Sequence, residues 1–182
     1  SASKIFSYAG ERIAMVAISD KLYHREYPEL RSRYGIGRFG DNFSLTYIYV
    51  NSSSCSHSAQ CAFAAMLGAA ADGLYNFVEN LKEYGRRSAR VKAAFIENGF
   101  HLVYDKDLDE DVSDGFFFTV GYPGKTGSEL LLGLLRCGIC AITLSSAKST
   151  REGVRVCVSL MKTEDDYARL EHGLKLFREI YE

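Results

Sequence analysis

The 182-residue chain balances 22 Lys and Arg against 23 Asp and Glu for a net charge of −1, with 47% hydrophobic and 25% charged residues. That composition excludes a collagenous or disordered chain, and near-neutrality argues against the broad basic surface that nonspecific nucleic-acid binding needs. No apolar stretch reaches the roughly 18 residues of a membrane span, since the best candidate, Cys61 to Ala71, contains Gly68. A soluble protein with no nucleic-acid or membrane partner is expected.

In chain order, Ser1-Ala2-Ser3-Lys4 runs into apolar sequence without the polar lead-in common at termini, which reads as a start inside a longer protein. Ile13 to Ile18 is a short continuous apolar run, the pattern of a strand buried on both faces. Ser19 and Asp20 can cap a helix reaching Arg33, ended by Gly35 and Gly37. Thr46 to Val50 is rich in strand formers, and the serines 52–54 after it signal a loop. Alanine-rich sequence follows Ser58, a candidate N-cap, and predicts a helix. A second amphipathic helix is predicted from Leu74 to Asn98, with Leu74, Phe77, Val78, Leu81 and Tyr84 at helical spacing and Gly99 as its stop.

The last third reads as a compact α/β unit with a mixed or antiparallel sheet. Strands are predicted at Phe100 to Tyr104, Phe116 to Gly121, Cys140 to Leu144 and Val154 to Leu160, and helices at Ser128 to Arg136 and Glu164 to Tyr181.

Several signals imitate chemistry. The acidic run Asp105, Asp107, Asp109, Glu110, Asp111 and Asp114 begins like a calcium loop, but Glu110 stands where the sharp turn needs Gly and Phe116 where a bidentate Glu belongs. Gly124-Lys125-Thr126 lies between a strand and a helix like the end of a phosphate loop. The position for that loop's first glycine holds Thr119, however, and Pro123 removes a backbone donor, so a turn is expected. The five cysteines are an odd number and fit reduced thiols in a cytoplasm. Cys137-Gly-Ile-Cys140 has redox or zinc spacing but no second pair, and two small buried residues are expected. His24, His57, His101 and His172 include no two with metal-ligand spacing on one helix face.

The constellation with chemical content is Ser1-Ala2-Ser3-Lys4 followed by Gly10 and Arg12. A lysine that attacks a carbonyl must be near cationic groups or out of water for its amine to be partly neutral. Neighbouring hydroxyls and a guanidinium suit the phosphate of a phosphorylated carbonyl cofactor. These residues resemble the lysine motif of fold-type I pyridoxal-phosphate enzymes, the class I/II aminotransferases in particular: Ser-x-Ser-Lys, a short turn, Gly-x-Arg, then a strand. Ala14 departs mildly from the glycine that family often has after Arg-Ile. The resemblance extends along the chain. Ser58-Ala59-Gln60-Cys61-Ala62 resembles the opening of the helical link between the family's domains. Residues 130–144 resemble a small-domain helix and the strand after it, and Gly153 to Ser159 resembles the strand whose arginine grips the substrate carboxylate.

The resemblance implies a partial three-layer pyridoxal-phosphate-transferase fold, with residues 1–57 as the remainder of the large domain, 58–99 as the helical link and 100–182 as the small domain. It implies pyridoxal phosphate as cofactor, held covalently by Lys4, which also moves the proton at the substrate α-carbon. Ser1, Ser3 and Arg12 would bind the phosphate, and Arg155 the substrate carboxylate. An amino acid and a 2-oxo acid would be the substrates, and a homodimer the assembly. In that family the aspartate facing the pyridine nitrogen and the ring-stacking aromatic precede the lysine, so this chain alone is expected to be inactive. A lyase or carbon–carbon-forming transferase of the same superfamily shares the lysine and arginine positions, and a standalone association module is the non-enzymatic alternative.

Overall fold

The computed structural model describes residues 1–112 and 115–181, which divide into two compact units, Ser1–Phe77 and Val78–Glu182. In the first, α1 (Ala2–Ile5), α2 (Asp20–Tyr23), α3 (Pro28–Tyr34) and α4 (Phe39–Asp41) lead into a π-helical segment (Asn42–Tyr49), α5 (Val50–Ser52) and α6 (His57–Ala71). The helix expected through Arg33 is broken because Pro28 occupies the first turn of α3 and drives Tyr27 to extended backbone at φ −128° and ψ 111°.

Both strands expected in this unit are absent. Ile13 is buried, but Met15 and Val16 are 65% and 63% exposed on irregular backbone. A strand buried on both faces needs hydrogen-bonded neighbours on both edges, and among the described residues of this unit the sole β-pairing is the isolated Glu26–Arg38 bridge. Thr46 to Val50 is helical. Phe39, Phe43 and Tyr47 stack at successive spacings of four residues, with centroids 5.9 and 5.8 Å apart and planes within 16°, an arrangement that helical backbone alone supplies. The side chains of Asn51 and Ser52 donate to the carbonyls of Tyr47 and Ile48, and Ser53 ends the helix in the left-handed region. Helix α6 is capped by Ser56, whose hydroxyl accepts the Ala59 amide, and not by Ser58.

The second unit matches its prediction more closely. Helix α7 (Phe77–Glu97) is followed by β1 (His101–Leu102), β2 (Lys106–Asp107), β3 (Glu110–Asp111), β4 (Phe117–Gly121), α8 (Gly127–Arg136), β5 (Ile142–Thr143), β6 (Val154–Cys157) and α9 (Glu164–Tyr181). Leu74 lies outside α7 and is 83% exposed; Gly99 follows the helix at φ +85°, the left-handed stop its sequence announced. Strands β1, β4, β6 and β5 form one antiparallel sheet in that order, and β2 and β3 form a separate hairpin. The fold of this unit is therefore an antiparallel sheet backed by helices.

Period-two alternation divides the sheet cleanly. One face carries Phe118, Val120, Val154 and Val156, which join Val91 and Phe95 of α7, Leu130 and Leu134 of α8, and Leu174 and Phe177 of α9 in a single core. Burying each such aliphatic or aromatic side chain contributes about 1.5–3 kcal/mol. The other face carries Thr119, Arg155 and Ile142 side by side, because Thr119 pairs with Arg155 and Arg155 with Ile142.

Candidate functional site

The first candidate group lies in the loop that α1 opens. Ser1 caps α1, its Oγ accepting the Ser3 amide at 3.3 Å and donating to Ser3 Oγ at 3.1 Å. The amide of the buried Ala2 donates to the Ile13 carbonyl at 3.2 Å, closing residues 2–13 into one loop. Ala2 and Ile13 pack with Ala59 of α6, flanked by Phe6, Tyr8 and Phe63. This closure brings the Ser1 and Ser3 backbone to one side of a hydrogen bond and that of Arg12 to the other. Arg12 is in the left-handed region at φ 53°, and its guanidinium donates to the Ala9 carbonyl at 3.1 Å. Lys4 is exposed at the C-terminal end of α1.

The second group belongs to the second unit. Arg155 stands half-buried on the open face of the sheet, its guanidinium 4.3 Å from the centroid of Phe117, a residue of the same face. Among the described residues no carboxylate pairs with it. Arg151, four residues earlier, is committed elsewhere. It donates to the Val103 carbonyl at 2.7 Å and lies 4.8 Å over the ring of Tyr104, whose hydroxyl shares a 2.7 Å hydrogen bond with Ser149 Oγ. Of these two arginines, Arg155 is the one without a hydrogen bond or ion pair among the described residues. His101, which carried no spacing signal, is on the same face, its ring lying against Gly121. Only the strand register reveals that neighbour.

The imitations resolve as structure. Thr126 caps α8 in a reciprocal box with Glu129, and Gly127 N–H is taken by the Glu152 carboxylate. Thr126 N–H and Oγ1–H both donate to the Glu129 carboxylate, holding its pKa below the usual range. With Lys125 Nζ 4.4 Å from the centroid of Tyr181, carboxylates and a ring fill the place a phosphate would take. In the acidic run Lys106 pairs with Asp111 across the β2–β3 hairpin; Asp114 lies outside the described residues. No group of three or more metal-ligating side chains exists among the described residues, and no helix among them is long and apolar enough to cross a membrane. The expectation for Cys137 and Cys140 holds for one of them. Cys137 is buried, its thiol pKa pushed up by burial, whereas Cys140 is exposed.

No protein-family model and no curated protein matches the sequence. A solved structure titled NIFS-like protein aligns with a TM-score of 0.41 at 21% identity, covering 57% of this chain and 28% of that one. The aligned region is thus under a third of that protein's length, and an overlap of this depth decides neither fold nor chemistry.

Proposed function

We propose that the chain is the C-terminal part of a pyridoxal-phosphate-dependent aminotransferase that moves an amino group between an amino acid and a 2-oxo acid. The observation carrying this reading is the loop of residues 2–13, closed by the Ala2–Ile13 hydrogen bond, which holds Ser3, Lys4 and Arg12 in one short segment with Ser1 bonded to it through the Ser3 amide. The donor set fits the cofactor: two hydroxyls and a guanidinium for a phosphate, and a primary amine for an aldehyde. When bound, the cofactor supplies an electron sink for the substrate α-carbon.

This chain's residues do the rest. Ser1, Ser3 and Arg12 grip the phosphate, and Lys4 holds the aldehyde end and carries the proton at the α-carbon. Arg155 pairs with the substrate carboxylate by two parallel N–H bonds, a geometry that lysine cannot reproduce. The apolar run Ile13 to Ile18 gains its sheet neighbours, and the three-layer large domain its completion, from the remainder of the longer protein, which assembles as a homodimer. The isolated chain is inactive.

Arg155→Lys in the longer protein tests the carboxylate assignment. Losing a charged two-point contact worth about 1.5–3 kcal/mol lowers kcat/KM for the amino acid by about 10- to 100-fold. Most of the loss falls on KM, and cofactor absorbance is unchanged. Unaltered kinetics would remove Arg155 from the site.

A further inference from the structure

The cysteine pair that is close in sequence is not the pair the fold assembles. Cys137 closes α8 and is buried, while Cys140 lies beyond it, exposed, on the approach to β5. Strands β5 and β6 pair Thr143 with Val154 and Ile142 with Arg155. The pairing stops at Ile142 and Arg155, and Cys140 and Cys157 each lie two residues beyond that end of the ladder, on the two neighbouring segments. At the other end of the pairing the Leu144 amide donates to the Gly153 carbonyl at 3.0 Å. Strands in a sheet run about 4.7–4.9 Å apart, so segments leaving one end of a ladder start within the roughly 4.4–6.8 Å between Cα atoms that a disulfide spans.

An independent observation agrees. Cys140 and Cys157 line one cavity of about 310 Å³, together with Gly138, Met161, Asp166 and Arg169. Both thiols are free and exposed. Cys157 Sγ lies 3.1 Å from Ser159 Oγ, so its sulfur has a polar neighbour, unlike Cys137 in the apolar core.

We propose that Cys140 and Cys157 form a dithiol site that hydroperoxides oxidise to a cross-strand disulfide. The sulfur of one thiolate attacks a peroxide oxygen. The O–O bond breaks, and a sulfenic acid forms as the other oxygen leaves with a proton, as water from hydrogen peroxide or an alcohol from an organic peroxide. The second cysteine's sulfur then attacks the sulfenic sulfur; the S–S bond forms, the S–O bond breaks, and the departing hydroxide takes that thiol's proton as water. Two electrons pass from the sulfur pair to one peroxide, and a small dithiol reductant reverses the change by thiol–disulfide exchange.

The test treats the reduced wild-type protein with one equivalent of hydrogen peroxide, alkylates the remaining thiols and maps peptides without reduction. Trypsin leaves Cys137 and Cys140 on one peptide, so tandem fragmentation assigns the linked residue. The expected product is a single cross-link from Cys140 to Cys157, two hydrogens lighter than the reduced pair and abolished by dithiothreitol. In Cys157→Ser the cross-link disappears, and Cys140 is trapped by dimedone as its sulfenic acid. The proposal is overturned if wild-type Cys140 and Cys157 both remain alkylatable after peroxide, or if Cys140 is joined to Cys137, Cys55 or Cys61.

Discussion

At the scale of single residues, Asp166 shows how the chain uses its charges. Its carboxylate accepts the Thr163 amide at 2.8 Å, the Thr163 hydroxyl at 2.8 Å and the Lys162 amide at 3.1 Å, at the start of α9. These bonds, the Thr163 amide foremost, lower its pKa from 3.8 to about 2. Because the folded value lies below the unfolded one, the stabilisation is fully present above the unfolded pKa and is lost as pH falls through about 2. Two-dimensional NMR titration of the Asp166 carboxyl should give a midpoint near 2, and Asp166→Asn should remove its share of the acid dependence of unfolding. An ordinary carboxylate midpoint would contradict the capping geometry. Arg155 makes the same point about function. Its residue type and late position were legible in sequence, but its freedom from ion pairing, in contrast to the engaged Arg151, follows from register and contacts that no single sequence exposes.

At the scale of elements, what could be read was local and what could not was tertiary. Helix α9 begins and ends where its sequence predicts, because Thr163 and Asp166 cap it reciprocally and its apolar positions keep one period. The stretch 46–50 misleads because strand propensity is weak when ring stacking at spacings of four competes with it; Phe39, Phe43 and Tyr47 were the available signal. The run 13–18 misleads differently, since periodicity reports burial but cannot supply a neighbouring strand. The contact between α8 and α9 is likewise tertiary. A Cβ on Gly173 of α9 would stand 2.5 Å from the Cys137 carbonyl oxygen and 3.1 Å from Ile139 Cδ1. Alanine favours helix over glycine by about 1 kcal/mol, whereas overpacking against fixed backbone costs about 1–3 kcal/mol. Gly173→Ala should therefore lower unfolding stability by up to about 2 kcal/mol in urea denaturation. A stabilised variant would show that the helices do not approach this closely.

At the scale of the whole molecule, the two units differ in how completely they bury themselves. The second has a continuous core, whereas the buried cluster of the first is Ala2, Ile13 and Ala59 and the unit exposes Met15, Val16, Tyr47 and Val50 at 63–73%. Apolar surface of this kind in a single chain favours association. The isolated chain is expected to self-associate with rising concentration, and light scattering that reports a monomer over a wide range would count against it. The same incompleteness is what the proposed function explains, since that reading makes this unit the remainder of a larger cofactor-binding domain. The most direct measurement is borohydride reduction of the longer protein expressed from its full reading frame, followed by peptide mapping. The account predicts a frame extending upstream of Ser1 and one reduced pyridoxyl group per chain, on Lys4, whereas the isolated chain labels weakly and without selectivity. A cofactor adduct on another lysine, or stoichiometric labelling with amino-group transfer by the isolated chain, would contradict it.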